Sequence, residues 1–121
     1  MKERVIHFHI SSAADAGRRF VSAWRGAQEK KGSPEENNLN FIGLKSFLST
    51  MTEKRWALLK FLNAHGPMSI RALSKELERD YKSVHGDVSK LMELGLIVKL
   101  SNDKIEAPYD RIISDIRMNA A

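Results

Sequence analysis

From Arg4 to Ile10, apolar and polar side chains alternate, with Ile6, Phe8 and Ile10 on one side and Val5, His7 and His9 on the other. A period of two predicts a strand with one apolar face. Ser11 and Ser12 then offer a helix cap, and Asp15 supplies a carboxylate where the helix dipole favours one. A helix over about 13–30 follows, with Ala16, Phe20, Ala23, Trp24 and Ala27 on one stripe and Arg18, Arg19, Arg25 and Lys30 largely elsewhere. It dissolves into Lys31-Gly32-Ser33-Pro34 and the polar residues after it, which is turn and linker chemistry. Leu39-Asn40-Phe41 reads as a short second strand and residues 44–49 as a short helix.

The period changes to that of a helix at Thr52. Glu53 sits in the first turn, and Trp56, Leu59 and Leu62 point inward until about Asn63, before His65-Gly66-Pro67 ends the helix. Ser69 caps a second helix carrying Ile70, Leu73 and Leu77. After the turn Glu78-Arg79-Asp80-Tyr81, a third helix capped by Asp80 buries Val84, Val88, Leu91 and Met92 and stops at Gly95. Two apolar stretches around Ser101-Asn102-Asp103 then predict a β-hairpin. Three short helices followed by a hairpin is the order of a winged helix-turn-helix. Beyond Pro108, residues 109–118 keep Ile112, Ile113 and Ile116 on one side and predict a terminal helix that needs a partner surface. The expected class is α+β, mainly α. Its parts are an N-terminal strand–helix extension (1–50) for dimerisation or partner binding, a winged helix-turn-helix (51–108) and a C-terminal helix (109–121).

Composition narrows the chemistry. The 121 residues hold 42% hydrophobic and 29% charged side chains, too apolar for a disordered chain and long enough for one core. There is no cysteine, so disulfides, thiolate catalysis and cysteine-ligated zinc are excluded. No apolar run reaches the ~18 residues of a membrane span, and no signal-peptide block opens the chain, so a soluble, cytoplasmic protein is expected. The net charge of +5 is concentrated: residues 1–32 hold seven Lys or Arg against three acids, and residues 52–100 hold nine against six. Such an excess favours a polyanion, chiefly through phosphate contacts. No glycine-rich phosphate loop, carboxylate pair or nucleophile elbow appears, so no enzyme and no cofactor are expected. His7 and His9 share a strand face, but no third ligand accompanies them and they read as solvated or interface histidines.

In a helix-turn-helix the later helix enters the major groove. With Val84, Val88 and Leu91 inward, the side chains facing away are Lys82, Ser83, His85, Gly86, Ser89 and Lys90. Lys82 and His85 are expected on bases or nearby phosphates, Ser83 and Ser89 as hydrogen-bonding groups, and Tyr81 against the backbone. Arg71 and Lys75 on the second helix, with Lys99 and Lys104 at the hairpin, are expected on phosphate.

The segments Gly66–Leu73, Arg79–Val88, Leu94–Ile97 and Ala107–Asp110 together resemble a prokaryotic family of small winged-helix regulators related to the MarR-like superfamily. The resemblance covers about residues 41–117 and extends more faintly over 14–24. It implies a transcriptional regulator or the antitoxin of a type II toxin–antitoxin pair, with double-stranded DNA, a second copy of itself and a cognate toxin as partners and residues 1–50 as the toxin-facing part. One departure is Gly86, where that family is expected to carry arginine or lysine. Its place on the outward face lets the helix approach a base pair closely. A protein–protein module that has lost DNA binding is the rival expectation.

Overall fold

The computed structural model describes residues 3–11 and 37–116. The helix expected over 13–30, with Phe20, Trp24, Arg18, Arg19 and Arg25, lies outside the described residues. The chain divides into two compact units, Val5–Thr50 with Arg111–Ala121, and Met1–Arg4 with Met51–Asp110.

The first unit is a three-stranded parallel sheet with a short helix. β1 (Val5–Ser11) is central, flanked by β2 (Asn37–Ile42) and β5 (Arg111–Ile116). The register sets Phe8 beside Leu39 and Ser114, and Ile10 beside Phe41 and Ile116. Period two therefore puts Ile6, Phe8 and Ile10 on one face, where each is buried. α1 (Leu44–Thr50) adds Phe47 to this face. Phe8, Phe41 and Phe47 meet edge to face with ring centroids 5.1 to 6.2 Å apart, the arrangement that ring quadrupoles favour. Between β2 and α1 the chain turns at Gly43, whose φ of 90° favours a residue without Cβ and whose N–H donates to the Ser11 carbonyl at 2.8 Å.

The terminal helix expected after Pro108 is instead the strand β5. Three isoleucines spaced i, i+1 and i+4 satisfy a helical stripe and a β-rich run equally over so short a stretch. Their β-branched side chains suit a pleated surface. The hydrogen-bonding partner, β1, lies at the other end of the chain, and its pairing from Val5↔Arg111 to Ile10↔Ile116 decides the matter.

The second unit is built from locally capped helices. α2 (Glu53–His65) begins where the Thr52 hydroxyl accepts from the Arg55 N–H. It ends at Gly66, whose N–H donates to the Leu62 carbonyl. It buries Leu58, Leu59 and Leu62, while Trp56 is only half-buried. α3 (Ile70–Leu77) is capped by Ser69 and buries Leu73. α4 (Tyr81–Glu93) is capped by Asp80 and buries Val84, Val88 and Leu91 completely. Each such side chain contributes about 1.5–3 kcal/mol by leaving water. β3 (Val98–Lys99) and β4 (Ile105–Glu106) pair antiparallel, and a bridge between Met68 and Ile105 adds a rung just before α3. Asn63 closes the unit by donating to the carbonyls of Ala107 and Tyr109 and to Asp110, which also accepts from the Arg4 N–H. Among the described residues no helix is long and apolar enough to cross a membrane.

Candidate functional site

The outward face of α4 follows from what anchors its inward face. Val84, Val88 and Leu91 fix the helix's rotation, and at ~100° per residue Tyr81, Lys82, Ser83, His85, Gly86 and Ser89 are turned out. All six are exposed, and Lys90 is partly so. The Asp80 carboxylate accepts from the Ser83 N–H at 2.7 Å, and the Ser83 hydroxyl lies 3.4 Å from its other oxygen. Those hydrogen bonds hold Asp80 below the ordinary carboxylate range, the Ser83 N–H contributing most. The cap therefore stays ionised, and it occupies the Ser83 hydroxyl expected at a ligand.

Around this face lies an open cleft of about 450 Å³. Its lining comes from three places: Ser69 at the cap of α3 with Ile70 and Arg71 of that helix, Tyr81, His85, Ser89 and Met92 of α4, and Lys99, Asp103 and Ile105 of the hairpin. The Arg71 guanidinium sits 4.8 Å above the centre of the Tyr81 ring, and the Tyr81 and His85 rings are 5.8 Å apart. A guanidinium over a phenol ring is an attractive pairing that keeps the cation in place without neutralising it. Five of the residues expected at a binding site, Arg71, Tyr81, His85, Ser89 and Lys99, thus share one cleft. Lys75, Lys82, Ser83, Gly86, Lys90 and Lys104 do not line it.

The cations differ in how far they are already engaged. Lys90 pairs with Glu93 at 3.0 Å and Lys99 with Asp103 at 3.6 Å. Lys75, Lys82 and Lys104 make no ion pair among the described residues. A built Cβ on Gly86 would meet nothing within 4 Å, so the chain's own packing gives no reason for a glycine there.

Four residues that pattern reading passed over shape the site. Asp87, beside the inward stripe, accepts from Arg55 of α2 at 3.0 Å and from Arg79 at 2.8 Å. Burial alone would raise its pKa, but the hydrogen bonds and charges of Arg79 and Arg55 outweigh that and lower it. This ion triplet ties α4 to α2 and to the turn before α4. The available signal was an acid at the edge of an apolar stripe, with one arginine in α2 and one in the turn before α4. Asp103 is the fourth, a carboxylate in the hairpin turn at φ 65°.

In the other unit, His9 Nε2 lies 2.8 Å from Asn38 Oδ1, and its Nδ1 lies 3.8 Å from Asp115. No cluster of three or more His, Asp or Glu side chains able to hold a metal occurs among the described residues.

A family model named HVO_A0114 matches residues 50–114, a little over half of the chain. No curated protein and no solved structure matches the chain.

Proposed function

The chain belongs to the HVO_A0114 family, and we propose that it is a sequence-specific regulator of transcription that binds double-stranded DNA through a winged helix-turn-helix. The observation that carries this reading is the outward face of α4. Its polar residues are exposed together while Val84, Val88 and Leu91 hold the helix from behind.

In this reading α3, the turn at 78–80 and α4 are the helix-turn-helix, and β3–β4 is the wing. The N-terminal part of α4 enters the major groove, where Lys82 and His85 reach base edges or nearby phosphates. Tyr81 packs against the sugar–phosphate backbone, steadied by Arg71. Arg71, Lys75, Lys99 and Lys104 contact phosphate and set the register without reading sequence. Gly86 leaves room for a base pair or a thymine methyl against the helix backbone. Two copies would read half-sites about 34 Å apart and repress by occupying a promoter. As an antitoxin, the protein would also hold a toxin encoded beside it, and co-expression that neither forms a complex nor rescues growth removes that part.

A titration by gel shift against the region upstream of the protein's own gene tests the reading. Binding should weaken steeply with salt as phosphate contacts release counterions. Lys82→Ala should cost about 1–3 kcal/mol if its contact is to a base edge. Absence of binding at low salt, or specific binding unchanged in Lys82→Ala with His85→Ala, defeats it. The alternative, a protein–protein module, draws on the carboxylates of Glu93 and Asp103, which partly neutralise Lys90 and Lys99.

A further inference from the structure

We infer that Asp103 limits how tightly the cleft holds DNA irrespective of sequence, by giving Lys99 a counter-charge that a phosphate must displace. The inference rests on the DNA reading above and deepens it. The hairpin carries two lysines, Lys99 and Lys104, of which Lys99 lines the cleft together with Asp103. With Arg71 they give the cleft two permanent cations and one carboxylate. A protein's hold on random duplex comes almost wholly from cations that replace condensed counterions on phosphate. A carboxylate at such a surface opposes that hold, so its presence needs a reason.

The turn does not supply that reason. Asp103 sits at φ 65°, in the left-handed region that glycine and asparagine also serve. Its N–H donates to the Leu100 carbonyl at 3.3 Å, and the neighbouring Asn102 side chain accepts from the Lys104 N–H at 3.2 Å. Backbone groups and Asn102 therefore hold the turn, with no part for the Asp103 carboxylate. Stability does not supply it either. The Asp103 side chain is 91% exposed and its oxygen lies 3.6 Å from Lys99 Nζ, beyond hydrogen-bond reach. Exposed pairs of this kind add little to folding. What remains is the effect on a bound polyanion. A phosphate that reaches Lys99 must part it from Asp103 and accept a carboxylate nearby, so the contact yields less than a free lysine's would. A pair this loose is readily exchanged, which weakens the phosphate contact without forbidding it. Lys104 makes no ion pair among the described residues and lies outside the cleft. The counter-charge thus falls on the hairpin lysine that shares the cleft with Arg71.

Binding of the full chain to a random-sequence duplex, titrated over a range of salt, tests the inference. Asp103→Asn and Asp103→Gly each keep a residue suited to the turn and remove the charge. Both should steepen the fall of log K with log salt by up to about 0.9, the share of one phosphate contact. The gain over wild type then grows by up to about eightfold for each tenfold dilution of salt. Glu76→Gln, exposed on α3 and outside the cleft, makes the same change in net charge and should leave the slope close to that of the wild type. Lys99→Ala should lower the slope by less in the wild type than in Asp103→Asn, where it should cancel the gain. Circular dichroism on every variant checks that the fold is unchanged. Slopes for Asp103→Asn and Asp103→Gly that match Glu76→Gln, or a gain that persists without Lys99, overturn the inference and leave the DNA reading standing. No binding by any of these chains at low salt defeats the DNA reading and the inference with it.

Discussion

The two units are stabilised over different distances along the chain. In the unit of α2, α3 and α4, each helix carries its own start signal, Thr52, Ser69 or Asp80, accepting from an N–H three residues on. In the sheet unit, β1 is flanked by strands that begin at Asn37 and Arg111, so almost none of its pairing is local. Ordering a long intervening chain must precede such contacts, which makes them slow to form and dependent on a few packing residues. A single change should therefore cost most at the sheet's aromatic centre and least at a helix cap.

Phe8→Ala gives the largest expected effect. It removes the ring that touches both Phe41 and Phe47 and should cost about 3–5 kcal/mol, read from chemical denaturation. A loss below 1 kcal/mol would show that the sheet does not depend on this cluster.

Asp87→Asn tests a long-range tie in the helical unit, the one that joins α4 to α2. It removes the charge shared by Arg55 and Arg79 and should cost about 1–2 kcal/mol, discounted for partial exposure. Because the folded carboxyl titrates below the ordinary 3.8, its contribution is whole above that value. It is lost as pH falls through the folded value. The wild type should therefore lose more stability than Asp87→Asn on acidification below about pH 4. Parallel curves would deny the tie.

Ser69→Ala removes a purely local cap and should cost about 1 kcal/mol, with the remaining hydrogen-exchange protection of the helical unit unchanged. Gly86→Ala has the smallest effect and the opposite sign. A helix interior with open space around a new Cβ should gain up to about 1 kcal/mol, while operator affinity falls if duplex DNA approaches the helix there. A more stable variant with unchanged DNA affinity would leave the glycine without a role at the groove.

This contrast also explains how much of the molecule was legible in the sequence. The three helices of the second unit were readable because caps and apolar spacing lie within the segment they define. The alternation of Ile6, Phe8 and Ile10 was readable for the same reason. The strand at 111–116 was read as a helix because its pattern fits two periods and its partner is at the other end of the chain. At the site, the polar face of α4 could be listed from the positions of Val84, Val88 and Leu91. The Arg71–Tyr81 contact, the Asp87 triplet and the pairing of Lys99 with Asp103 depend on side chains from different elements or on the shape of a turn. Periodicity carries no record of those.

The bridge between Met68 and Ile105 has a mechanical consequence. A hairpin with two residues in each strand is too short to resist bending by itself, and the bridge fastens β4, at its residue next to the turn, to the residue just before Ser69. Force applied to the tip near Asn102 is therefore passed as torque to the start of α3, where Arg71 lies over Tyr81. Whatever grips the hairpin also adjusts the aim of the neighbouring cleft.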